Sequence, residues 1–384
     1  MLCISLLCTL LFIEGGARIY DRLVPPPVSL VEFRKRQPPP YQNAPYFSQE
    51  FLTESFEQPR KWHYPQGTRL IIPSDYHGKY FNVVNGLRVT AYQPKDYTNT
   101  VYVFGGSTIY CSEVPDEYTV TSQLQLLFNK HYGSRYIVQN YGTTTVTTTQ
   151  QLERLRTVSL KPHDIVVFYD GVNDVFQGVY YANPEETMVE TTRRTLQNLS
   201  PLQKILVRLA SYSVFVRRWA NPLGANRIPL HLENEHEINL LVDLLEKRYE
   251  ENLLAAHQYA RASNAFFFHF LQPNIYTLPT LSEYEKTVVS NYNLFAPPGM
   301  EIAFQKGYPR LRKVNALLST AHLVDSYDLT HILDSREHGE EFYLDTCHVT
   351  HKANQIIAHH IFSKIDAKLR DLHNLPPSSS SQGE

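Results

Sequence analysis

The sequence predicts an α/β fold, a three-layer α/β/α sandwich around a five-stranded parallel sheet, on three observations. Short β-branched or aromatic runs alternate with segments of helical spacing, the pattern of a sheet covered on both faces. Each run is nearly continuous in apolar residues, as a strand with no solvated face must be. The connecting segments carry apolar stripes at helical period. Composition agrees, because 42% hydrophobic and 19% charged residues are globular proportions. A chain of 384 residues divided by about 150 gives two to three domains as a soft prior, and one α/β unit with tails is also allowed. With 36 basic and 38 acidic residues the formal net charge is −2, so the bulk positive charge of a nucleic-acid binder is missing. Two of the four cysteines stand in the first eight residues, which excludes a disulfide scaffold, and no CxxC pair exists to suggest a thiolate zinc site.

In chain order, Leu2 to Ile13 is an uncharged apolar run ended by Glu14-Gly15-Gly16. As a helix it would reach about 18 Å, short of the roughly 30 Å hydrocarbon core of a bilayer. Its length fits the apolar region of a signal peptide and Gly15-Gly16-Ala17 offers small residues for cleavage, although no Lys or Arg precedes it. Residues 1–17 are read as a signal peptide or N-terminal membrane anchor, with a buried first helix as the plainer alternative. The rest of the chain is then expected to be extracytoplasmic, whether secreted, periplasmic or membrane-anchored. Pro25-Pro26-Pro27 and Pro38-Pro39-Pro40 surround Arg34-Lys35-Arg36 and favour extended backbone, so residues 18–79 are expected to form a Pro-rich spacer and N-terminal extension.

The strand runs follow at Thr100 to Phe104, Tyr136 to Gln139, Asp164 to Tyr169, Ala265 to Phe270 and around Leu323 and Val324. Leu124, Leu127 and Phe128 mark the first intervening helix, and Leu152, Leu155 and Val158 the second. Glu237 to Ala260 is a long amphipathic helix, and Ala353 to Leu369 is another, with Ile356, Ile357, Ile361 and Ile365 near one stripe. Residues 373–384, with Pro376-Pro377 followed by four serines, read as a disordered tail.

Ligands of parallel α/β sheets bind beyond the carboxyl ends of the strands, so those ends are where chemistry is expected. The first ends in Gly105-Gly106-Ser107-Thr108, which places a hydroxyl straight after a buried strand on a glycine turn, as an exposed nucleophile requires. A helix N-cap serine would look the same. No Lys-Ser/Thr follows the glycines, so this is no P-loop, and Ile109 stands where a GxSxG elbow needs glycine. The second strand ends in Asn140-Tyr141-Gly142 and the third in Asp170-Gly171-Val172-Asn173-Asp174. Singly these are turn residues, and together they form a donor set for a developing oxyanion. Before the last helix, Asp345-Thr346-Cys347-His348 puts a carboxylate three residues ahead of a histidine whose tautomer it can fix.

These four blocks, in this order and over roughly Tyr80 to Leu372, resemble the SGNH hydrolase superfamily, also called GDSL-type esterases and lipases. The resemblance implies the flavodoxin-like SGNH fold over residues 80–372. It also implies a catalytic triad of Ser107, His348 and Asp345, and an oxyanion hole of Ser107, Gly142 and Asn173. Neither metal nor cofactor is implied. The implied reaction is acyl transfer from an ester, O-acetyl or another acyl ester, through an acyl-enzyme that water resolves. An O-acyltransferase acting on a cell-surface glycan would use the same residues. The implied partners are an acyl-ester small molecule, a lipid or an acylated glycan; the charge balance adds the expectation of no nucleic acid, and the N-terminal apolar run adds that of membrane association. Asn82 to Thr90 is also similar to a region upstream of the nucleophile in membrane-anchored, extracytoplasmic members. Gly106 departs from the usual GDS, where an aspartate stands, and this departure invites the alternative of a glycan- or lipid-binding protein without turnover.

Other residues offer competing readings. Asp345, His348 and His351 could be metal ligands, a reading that leaves Ser107, Gly142 and Asn173 without roles. His359-His360 fit a helix with one ring in water. Asn198-Leu199-Ser200 matches a glycosylation sequon but is followed by Pro201. The aromatics Tyr276, Tyr284, Tyr292, Phe295 and Phe304 either contact substrate or pack a helical segment on the core. If Ser107 meets His348, Cys111 and Cys347 are carried to the same rim. A bond requires Cα atoms about 4.4–6.8 Å apart, so two buried unpaired thiols are favoured over a disulfide.

Overall fold

The computed structural model describes residues 2–23, 39–41, 44–57, 61–183, 194, 197–210, 212–216, 228–290, 297–321, 323–335 and 340–373. Five strands, β6 (Asn99–Gly105), β7 (Tyr136–Asn140), β8 (Ile165–Asp170), β9 (Phe266–Leu271) and β10 (Asp325–Asp328), run parallel in the order β10-β9-β8-β6-β7. Val101 pairs with Val138 on one side and Ile165 on the other. The first parallel strand thus lies between the second and third, and the crevice between β6 and β8 is where successive connections depart in opposite directions. The last strand falls two residues later than expected. As an edge strand of sequence Asp-Ser-Tyr-Asp it is only partly buried and carries no apolar run.

Alternation along the strands separates two cores. Val101 and Val103 face one layer with Val120, Leu124 and Phe128 of helix Val120–Tyr132 and Ile357, Ile361 and Ile365 of helix His351–His373. Tyr102 and Phe104 face the other, with Leu152 and Leu155 of helix Thr148–Leu155. There they join Val242, Leu245 and Leu253 of helix Glu235–Ala262, and Leu311, Val314 and Leu318 of helix Met300–Thr320. Each such side chain contributes roughly 1.5–3 kcal/mol on burial, so packing on the sheet, more than helix propensity, holds these helices. Asn234 caps the longest of them, its side chain accepting the N–H groups of His236 and Glu237 at 3.0 and 3.3 Å.

The sheet is wider than the sequence predicts. β5 (Leu87–Arg88) pairs antiparallel with β7 through Arg88 and Asn140, and β4 (Asn82–Val84) and β3 (Tyr76–His77) continue outward, giving eight strands in a mixed sheet. β1 (Trp62–His63) and β2 (Ile72–Pro73) form a separate pair. Strands of two or three residues have no period to read. The expected N-terminal extension is correspondingly more than a spacer. Tyr41, Ala44, Tyr46, Phe51 and Leu52 are buried in the first core, their aromatic content having been masked by the surrounding prolines. The polyproline stretch over 24–38 and the tail over 374–384 lie outside the described residues.

The N-terminal helix, Leu2–Leu23, continues beyond the expected apolar run through Gly15 and Gly16. Its Glu14 carboxylate accepts the Ser213 hydroxyl at 2.7 Å and the Val214 and Phe215 N–H groups at 3.0 and 3.3 Å. These bonds, with Arg18 beside them, bring the Glu14 pKa down to about 2. Among the described residues, no helix is long and apolar enough to cross a membrane.

Candidate active site

Beyond Gly105 the chain turns at Gly106 in extended backbone, and Ser107 opens a single helical turn, Ser107–Tyr110. That turn stops at Cys111, which adopts left-handed backbone (φ 52°). Ser107 therefore stands at the crevice mouth with its own N–H among the first-turn amides that a helix leaves without an intrahelical partner. On the other side of the mouth, Tyr343 and Val349 form an isolated antiparallel bridge and the Leu344 N–H donates to the His348 carbonyl at 2.8 Å. This closes residues 344–348 into a tight turn that folds Asp345 back onto His348.

The result is a continuous polar line. His348 Nε2 lies 2.8 Å from Ser107 Oγ, and His348 Nδ1 lies 2.9 and 2.8 Å from the two Asp345 carboxylate oxygens. Asp345 Oδ1 also accepts the N–H groups of Cys347 and His348, at 3.0 and 2.8 Å. The carboxylate thus fixes the ring, its tautomer and the turn that carries both. Asp345 and His348 are 1% and 4% exposed, so their charges act across little water. The resemblance implied that these three residues meet; spacing paired only Asp345 with His348, and the fold joins His348 to Ser107 across 241 positions.

A fourth group was not singled out from the sequence. Glu113, on the loop after the serine turn, is buried and brings Oε1 to 3.9 Å from His348 Nε2. Burial disfavours the His348 cation, but Asp345 first and Glu113 second outweigh it and hold the His348 pKa well above the ordinary value. Glu113 belongs to no motif. Only the reversal at Cys111 returns an acid six positions after the serine to the histidine.

The oxyanion side differs in part from expectation. Asn173 follows β8 at the start of the turn Val172–Val175, and its Nδ2 donates one hydrogen to the Val146 carbonyl at 2.9 Å. The second amide hydrogen is left to be directed elsewhere. Gly106 makes this placement possible, because a Cβ there would fall inside Asn173 Nδ2. The Val146 carbonyl thus accepts a hydrogen bond from Asn173, and the absence of a side chain at Gly106 leaves the space that Asn173 Nδ2 occupies.

Gly142 is corrected from donor to close-packing residue. Its N–H is taken by Asn140 Oδ1 at 2.8 Å, while Asn140 Nδ2 donates to the Ile109 carbonyl at 2.7 Å and to Thr121 Oγ1 at 3.1 Å. A Cβ at Gly142 would meet the backbone carbon of Ile109 at 2.7 Å, so glycine is what lets the serine turn pack on this loop. Of the three expected donors, Gly142 is thus the one whose N–H is committed within the fold.

The metal reading is not assembled by the fold. His351 packs edge-on against Tyr46 and Tyr118, with ring centroids 5.5 Å apart in each case. Asp345, Cys347 and His348 do cluster, but the His348 Nδ1 that would face a metal already bonds Asp345. Cys111 and Cys347 are buried free thiols. Burial pushes Cys111 up to about 11 and Cys347 upward, so neither is poised as a nucleophile.

A second Asp-His-Ser line exists. His269 Nε2 lies 3.2 Å from Asp170 and His269 Nδ1 2.7 Å from Ser326 Oγ. All three are sealed inside the fold and tied to Tyr249, whose hydroxyl donates to Asp170 at 2.6 Å, so no substrate reaches them. Tyr276 packs on Phe304 at 5.0 Å and Tyr284 lies against the first core, as packing residues do, while Tyr292 and Phe295 lie outside the described residues. On helix His351–His373 the His359 ring is exposed and His360 is part-buried.

No family model matches the chain, and no curated protein matches it. Solved structures similar to it include a member of the lipolytic G-D-S-L family from Veillonella parvula, at 10% identity over 69% of this chain and 97% of that one, with a TM-score of 0.38. A GDSL-like lipase from Bacteroides thetaiotaomicron matches at 13% identity over 70% of this chain and 89% of that one, with a TM-score of 0.36. A psychrotrophic esterase from a Pseudoalteromonas species matches at 13% identity over 71% and 99%, with a TM-score of 0.32. Likeness of this degree carries neither substrate nor mechanism, which rest on the side chains.

Proposed function

We propose that the protein is a serine carboxylic-ester hydrolase of the SGNH type. The observation that carries this reading is the buried line Asp345, His348, Ser107 at hydrogen-bond distances, opening beside an amide donor at Asn173. With His348 neutral, Ser107 donates its proton to Nε2 as Oγ attacks the ester carbonyl. Asp345 stabilises the imidazolium so formed, and the Ser107 N–H and Asn173 amide meet the oxyanion. The imidazolium protonates the leaving alcohol, and a water activated by the same nitrogen then releases the acid and regenerates the serine.

The substrate class is an acyl ester of an alcohol, lipid or glycan. We place the enzyme outside the cytoplasm and at a membrane surface. Exposed Phe12, Ile19 and Leu23 on the N-terminal helix and exposed Leu202, Ile205 and Leu209 on helix Pro201–Ala210 support the membrane surface. Arg18, Arg22, Lys204 and Arg208 on the same helices favour anionic headgroups. The test of activity is a chain-length series of p-nitrophenyl esters with the full chain and its Ser107→Ala variant. Turnover that falls by about 10⁴–10⁶ in the variant is expected, as for loss of a triad nucleophile. Absence of turnover on every ester, or a variant that keeps more than a tenth of the rate, overturns the proposal.

A further inference from the structure

We infer that Glu113 is a second carboxylate partner of His348, a positioning residue that holds the imidazole from the side of the nitrogen that meets Ser107. This rests on the hydrolase reading and goes beyond it, because the three-residue line needs no acid there. Oε1 lies 3.9 Å from Nε2, at the opposite end of the ring from Asp345. Its loop is built to stay in place. The Ser112 hydroxyl donates to Oε1 at 3.1 Å and the Tyr41 hydroxyl donates to the Glu113 carbonyl at 3.0 Å. Arg88 NH2 donates to the next carbonyl, Val114, at 3.0 Å and pairs with Asp116 at 2.9 Å. The guanidinium, stacked 3.4 Å from the centre of the Phe81 ring, is thus shared with Asp116 beyond the loop.

The groups facing the ring are Ser107 and Glu113 from the nucleophile side, with Cys111 behind them, and Asp345 and Cys347 from its own turn. Of these the two carboxylates favour the cation, and the two thiols are held protonated by burial. A carboxylate on the reacting side makes the imidazolium easier to form as Ser107 attacks. It also keeps the resting ring protonated to higher pH, so hydrolysis belongs to the alkaline side of neutrality.

The experiment compares wild type, Glu113→Gln and Glu113→Asp as full chains by two readouts. One is kcat/KM against pH on a p-nitrophenyl ester, and the other is NMR titration of ring-labelled histidine, which needs no turnover. Glu113→Gln is expected to move the rising limb and the His348 titration about 1–3 pH units toward acid, the size of effect of a carboxylate at this distance. Glu113→Asp is expected to keep part of the effect. A limb and a titration within about 0.3 units of wild type in folded Glu113→Gln overturn the inference. If no ester is hydrolysed by any form, the activity reading fails while the histidine titration still decides the role of Glu113.

Discussion

Asn173 and Gly106 act as one unit, although they follow different strands. The amide needs the room that a missing side chain leaves, and Val146 then holds it. Two substitutions separate occupancy from chemistry. Asn173→Ala is expected to fold and to lose about 10²–10³ in kcat, as loss of one oxyanion donor does. Gly106→Asp, which restores the familiar GDS motif, is expected to lose activity as well by displacing Asn173. Steady-state kinetics on a p-nitrophenyl ester check both, and a Gly106→Asp variant as active as wild type contradicts the placement of Asn173. At this scale Ser107, Asp345 and His348 were legible because their residue types sit at strand ends in a recognisable order. Glu113 and the commitment of the Gly142 N–H to Asn140 were not, since a single acid or asparagine carries no periodic or motif signal.

Among the elements, the buried parallel strands announced themselves through continuous apolar runs such as Val101 to Phe104, whose side chains are divided between two cores. The antiparallel strands β3, β4 and β5 did not, being short and half solvated. The N-terminal helix and helix Pro201–Ala210 present the least core-like faces. Leu202, Ile205 and Leu209 are 66%, 55% and 45% exposed at positions that share one side of a helix. If this face meets lipid, co-sedimentation with vesicles containing anionic phosphatidylglycerol exceeds that with neutral phosphatidylcholine. The double variant Leu202→Asp and Ile205→Asp then releases the protein while leaving soluble-ester turnover intact. Equal sedimentation of variant and wild type would remove the membrane surface from the account.

Across the whole molecule, the reversal of connections between β6 and β8 opens the crevice, and three separate loops deliver the serine, the amide and the acid-histidine pair to it. The N-terminal segment adds a buried floor under Glu113 through Tyr41 and Tyr46. Composition concealed that segment, because prolines dominate the stretch in which those aromatics stand. The sealed Asp170, His269 and Ser326 line shows why residue types alone do not define a site, since burial separates it from any substrate. The central claim is that Ser107 is the one activated hydroxyl, and reaction of the full chain with a serine-directed fluorophosphonate followed by peptide mapping tests it most directly. Stoichiometric modification of Ser107, slowed strongly in His348→Ala and absent in Ser107→Ala, is the result expected. No modification, or modification that persists at another residue in Ser107→Ala, would contradict it.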